Sequence, residues 1–146
     1  MALFGKLFSG EKTGRKALII GLDGVPYTLM KKFIADGTMP NAAALVKTGT
    51  LRRMTTSLPE VSSVAWTTFM TGVNPGKHGI YGFMDLRPKT YDMFFPDFKC
   101  VKSATMWDHL GRLGKRSIVV NVPSTYPARE LNGILVSGFV AIDLKK

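Results

Sequence analysis

The stretch Ser117-Ile118-Val119-Val120-Asn121-Val122, closed by Pro123, decides how the chain folds. A short, almost uninterrupted run of Ile and Val bounded by turn signals is the pattern of a strand buried on both faces, as in a parallel sheet. Just upstream, Ser103 is expected to cap a helix over Ala104 to Leu113, which Gly114 stops. Downstream, residues 127–132 read as a loop and Ile134-Leu135-Val136-Ser137 as the next strand.

The same alternation extends towards the N-terminus. Lys16-Ala17-Leu18-Ile19-Ile20-Gly21-Leu22 reads as a first buried strand ending at Asp23-Gly24. Pro26 opens a helix through about Asp36, stopped by Gly37. Pro40-Asn41 opens a second helix, Ala42 to Lys47, ended by Gly49. Thr50 to Ser57 reads as a second strand, broken by Pro59, and Ser62 to Thr71 as a helix stopping at Gly72. Residues 73–83 form a glycine-rich loop, and residues 87–102 an irregular, aromatic and basic excursion. Strands alternating with helices predict an α/β fold, a mainly parallel sheet with helices on both faces. Residues 1–15 read as a flexible, basic tail, and 16–146 as one domain. No helix follows the last strand, so the sheet core is expected to be incomplete within these residues.

Composition narrows the classes. The chain has 146 residues, 45% of them hydrophobic, enough for a core. Cys100 is the single cysteine, so an internal disulfide is excluded and a reduced, cytoplasmic setting is expected. The formal charge of +10 suits anionic partners, but the basic residues are scattered, which argues against nucleic acid. No apolar run is long enough for a transmembrane span; residues 1–8 offer at most weak membrane contact.

In an open α/β sheet, ligands bind beyond the carboxyl ends of the strands. Asp23, the pair Ser62 and Ser63, and Asn121 are expected there. A carboxylate at Asp23 suits a divalent cation, although Asp-Gly is also a common turn. A hydroxyl at Ser62 meets the free N–H groups and positive dipole of a helix N-terminus, which attract phosphate and would stabilise an alkoxide nucleophile. Simple capping by Ser62 or Ser63 is the alternative. His78 is either a base or a loop histidine held by backbone hydrogen bonds. His109 reads as structural or exposed, and Trp66, Trp107 and Phe94-Phe95 as packing.

The run from Leu58 to Ile80, containing Ser62-Ser63, Thr71-Gly72, Pro75 and His78-Gly79-Ile80, resembles the nucleophile segment of type I phosphodiesterases/nucleotide pyrophosphatases, of the alkaline phosphatase superfamily. Ile19-Ile20-Gly21-Leu22-Asp23-Gly24, Met39-Pro40-Asn41, Trp107-Asp108 and Asn121-Val122-Pro123 resemble the same family. The resemblance implies an alkaline phosphatase-like core, Ser62 as nucleophile and metal ligand, and Asp23 as metal ligand; Ser63, Asn121 and His78, by their positions in the chain, are expected as substrate contacts. It also implies two divalent metals, zinc or manganese, and a phosphorylated small-molecule substrate. Many members carry asparagine where Phe83 stands; a phenyl ring cannot donate that hydrogen bond, which shifts the expected substrate away from nucleotides. The remaining metal ligands of the family lie further along a longer chain. These residues are therefore expected to be the N-terminal part of such a hydrolase, inactive alone. The alternatives are a phosphatase, phosphotransferase or sulfatase of the same superfamily, or a non-catalytic anion-binding α/β module.

Overall fold

The computed structural model describes residues 16–138; the expected N-terminal tail lies outside them. The chain divides into two compact units, before and after the Thr50–Leu51 bond.

In the first unit, α1 (Tyr27–Ala35) follows Pro26, whose fixed φ of −72° suits a helix start. The α1 carbonyl of Lys32 is satisfied by the N–H of Asp36, and Gly37 then turns the chain at φ +79°. α2 (Pro40–Thr48) has Pro40 in its first turn, where a missing N–H costs nothing. Both helices match expectation within a residue or two.

The strand expected over residues 16–22 is not formed. The segment is without regular structure, with Leu18 85% exposed, and the second expected strand, over residues 50–57, is coil as well. Hydrophobicity favours a strand only where a neighbour completes its ladder. The ladders among the described residues are Asp85–Leu86 with Met93–Phe94, and Ser117–Val122 with Gly133–Ser137; neither apolar run joins one.

The second unit begins its regular structure at α3 (Ser62–Thr71), which ends on Gly72 in the left-handed region at φ +68°. That glycine is required there, because a Cβ is strained at such a φ. α4 (Pro75–His78) is one short turn. The expected irregular excursion contains a small antiparallel hairpin, β1 (Asp85–Leu86) and β2 (Met93–Phe94), and a 3₁₀ turn, Phe98–Cys100, whose Lys99 N–H donates to Asp97 at 2.8 Å. α5 (Met106–Arg112) starts later than expected. Thr105, not Ser103, is its cap: the Asp108 N–H donates to Thr105 Oγ1, and the Thr105 N–H donates back to the Asp108 carboxylate at 2.7 Å.

β3 (Ser117–Val122) and β4 (Gly133–Ser137) pair in parallel, Val119 opposite Leu135. Asn121, at φ +58°, is the extra residue of a bulge between Val120 and Val122. Side chains alternate along a strand, so the inserted residue turns Val122 back to the face of Val119. Val119, Val122 and Leu135 accordingly pack on the core formed with Met70, Ile80, Phe98, Val101 and Trp107. Burying Met70 or Phe98 completely contributes roughly 1.5–3 kcal/mol each. The opposite face is open: Val120 is 60% exposed, with Ile118 and Val136 exposed beside it. Helices on both faces are thus a correction. The described residues mix helices with two small sheets, and the parallel one has two strands with one face packed.

Candidate active site

The N-terminus of α3 is built without a cap. Val61 occupies the cap position in extended backbone, and it has no side-chain oxygen to offer. The first N–H groups of a helix have no intrahelical acceptor, so those of α3 have neither a partner within the helix nor a side-chain cap. Capping by Ser62 or Ser63 is therefore not what these residues do. Ser62 is the first helical residue, half-buried, and among the described residues its hydroxyl is in no hydrogen bond. Ser63 is 4% exposed, and its Oγ is buried without a partner. The rest of α3 is tied internally: Thr67 Oγ1 donates to the Ser63 carbonyl and Thr71 Oγ1 to the Thr67 carbonyl, both at 2.6 Å.

His78 is fully buried at the end of α4. The Ile80 N–H donates to its Nδ1 at 3.1 Å, so Nδ1 is unprotonated. Nε2 then carries the proton and donates to Thr68 Oγ1 at 3.0 Å. Burial pushes the His78 pKa below its ordinary value, which keeps the ring neutral. Both ring nitrogens are committed, leaving none for a substrate atom in this arrangement. The backbone carbonyl of His78 accepts from Lys102 N–H at 3.0 Å, and Ser103 Oγ donates to the Lys77 carbonyl at 3.2 Å. Arg129 clamps the same segment, its guanidinium on the Phe98 and Val101 carbonyls and over the Phe98 ring.

The other expected residues make no hydrogen bond to Ser62, Ser63 or His78 among the described residues. Asp23 is exposed in a turn with Gly24 at φ +69°, in the first unit. Asn121 is exposed at the β3 bulge. His109 is exposed on α5, whereas Trp107 is buried and packs on Phe98 with ring centroids 6.5 Å apart. Trp66 meets Phe69 edge-on at 5.7 Å, and Phe94 lies under Arg87. Phe95 is exposed. An open groove of about 410 Å³ runs along α5, lined by Trp107, Asp108, Gly111, Arg112, Leu131 and Asn132, and contains none of the expected site residues.

Sequence reasoning missed Thr68 as a partner of His78. The spacing from residue 68 to 78 carries no periodic signal; only the fixed turn of α4 brings the ring back over α3. Among the described residues no three His, Cys, Asp or Glu side chains gather as a metal site. One carboxylate and one hydroxyl fall short of the four ligands zinc takes. The residues described do not, by themselves, fit a two-metal centre. No helix among them is long and apolar enough to cross a membrane.

Comparison with curated proteins and with solved structures gave no significant match. The family described as type I phosphodiesterase / nucleotide pyrophosphatase matches residues 17–137, spanning α1 through β4 and including Asp23, Ser62, His78 and Asn121. With most of its length matched, the chain belongs to the type I phosphodiesterase/nucleotide pyrophosphatase family.

Proposed function

We propose that this chain carries the nucleophile of a phosphodiester or pyrophosphate hydrolase, and that Ser62 is that nucleophile. The family is one of hydrolases of this type. The observation that carries the assignment is the uncommitted Ser62 hydroxyl at the uncapped N-terminus of α3. Ser62 Oγ would attack phosphorus as its proton departs, and the bond from phosphorus to the leaving oxygen breaks. Water then attacks the phosphoseryl ester, the P–Oγ bond breaks, and the serine regains a proton. The N–H groups and dipole of the helix end stabilise the negative charge gathered on the phosphoryl oxygens. Ser63 and Asn121 are proposed as substrate contacts, and His78 as a residue that holds the loop.

Asp23 is proposed as one ligand of the divalent metals, zinc or manganese, that the family employs; the remaining ligands would come from residues beyond those described. An alkaline phosphatase-like core would likewise be completed there. The substrate is a phosphorylated small molecule, and Phe83, exposed at the end of the glycine-rich loop, supports a non-nucleotide one. A non-catalytic anion-binding module is the second reading, favoured by the formal charge of +10 and the uncapped N-terminus of α3.

Hydrolysis of bis-p-nitrophenyl phosphate with added zinc or manganese, by the chain extended beyond residue 146, tests the assignment. Ser62→Ala and Asp23→Ala are each expected to abolish turnover. Full activity in Ser62→Ala would remove the nucleophile role.

A further inference from the structure

The hydrogen bonds of α3 divide into two kinds. Thr67 and Thr71 bond back to their own helix. Among the described residues, the Thr68–His78 bond is the one side-chain hydrogen bond that ties α3 to another segment. His78 in turn is fixed on both sides. Its Nδ1 is held by Ile80 N–H, and its carbonyl by Lys102 N–H in the segment that Arg129 clamps. The rotation of α3 about its axis, and with it the direction of Ser62, is thus set by the burial of Val64, Thr67 and Met70 and, through the one directional side-chain contact, referred by an imidazole to the Phe98–Ser103 segment.

We propose that His78 is a positioning residue for Ser62, acting as a neutral Nε2–H donor to Thr68. This rests on Ser62 being the nucleophile. The ring must be neutral for the arrangement to hold, since a protonated Nδ1 would face the Ile80 N–H, donor against donor. Among the described residues no carboxylate is hydrogen-bonded to the ring: its partners are Thr68 and Ile80, α3 has no titratable side chain, and the charges adjoining it are Lys77 on its own turn and Lys102, the latter's stem lying against Gly79. A misplacement of a reacting group by about 1 Å costs roughly 100-fold in rate, so a loosened α3 should show in kcat.

Two side chains separate the positioning role from a merely structural one. Glutamine at 78 can still donate where Nε2 does but cannot accept from Ile80 N–H; asparagine can accept there but cannot reach Thr68. In the active, extended protein, Thr68→Val and His78→Asn are expected to lower kcat about 10- to 100-fold with KM little changed, and His78→Gln to recover most of it. Recovery by asparagine instead of glutamine, or an unchanged kcat in Thr68→Val, would overturn the proposal. Should the variants fail to fold, nitrogen NMR of the unaltered chain decides. A protonated Nε2 with unprotonated Nδ1 is expected, whereas the opposite tautomer, or a ring cationic at neutral pH, would refute it. If Ser62→Ala retains full activity the nucleophile assignment fails separately, and the NMR result still decides whether His78 is the donor.

Discussion

The Nε2 of His78 lies 3.0 Å from Thr68 Oγ1, joining a fully buried imidazole to the helix that begins at Ser62. The relationship has a consequence for acid stability. The folded state holds the His78 pKa below the ordinary histidine value of 6.5. An unfolded chain therefore takes up a proton first as pH falls, and stability tied to the neutral ring is complete above 6.5 and lost below it. Urea titrations from pH 7.5 down to 5 should show stability falling below pH 6.5, by at most about 1.4 kcal/mol per pH unit from this group. His78→Gln should flatten that part of the profile.

Thr125 staples the ends of β3 and β4. It is fully buried, its Oγ1 donates to the Val122 carbonyl at 2.6 Å and accepts from Gly138 N–H at 3.2 Å, and its carbonyl accepts from Ser137 Oγ at 2.8 Å. Thr125→Val keeps the shape and leaves the Val122 carbonyl and Gly138 N–H without this partner. The expected loss is about 1–3 kcal/mol in urea unfolding.

Gly133 opens β4 at φ +145°, and a Cβ built there would overlap the Ser117 carbonyl across the ladder. Backbone cannot retreat as a flexible side chain would. Gly133→Ala should cost about 3 kcal/mol or more and weaken the β3–β4 pairing, measured by thermal unfolding and by faster amide exchange at Val119 and Val120.

Metal binding by residues 1–146 alone should be weak. Zinc takes four ligands, and no three His, Cys, Asp or Glu side chains converge among the described residues. Calorimetry with zinc is expected to show no tight stoichiometric binding. A one-to-one or two-to-one complex of high affinity would show that these residues complete a site by themselves.

Much of the helical structure was legible because its signals are local. Pro40, Gly37, Gly72 and the apolar pattern of Ser62–Thr71 act within a turn of where they stand. The β3–β4 pair was legible for the same reason, as short Ile/Val runs bounded by Pro and Gly. Residues 16–22 and 50–57 carry equally good strand patterns but lack a ladder partner among the described residues, and a strand is a property of two segments. At the site, the position of Ser62 at a helix start could be read from residue order. Its freedom from capping could not, because it depends on where the helix begins to within one residue. The His78–Thr68 bond was hidden for a similar reason, since it is made by the path of a loop.

The central claim is that Ser62 takes the phosphoryl group, and trapping that group tests it most directly. The extended protein, supplied with metal and a phosphodiester and quenched in acid, should yield a phosphorylated peptide whose modification maps to Ser62 by mass spectrometry, and Ser62→Ala should yield neither the adduct nor turnover. Sustained hydrolysis by Ser62→Ala, with no phosphoryl group on the serine of the unaltered protein, would contradict the account.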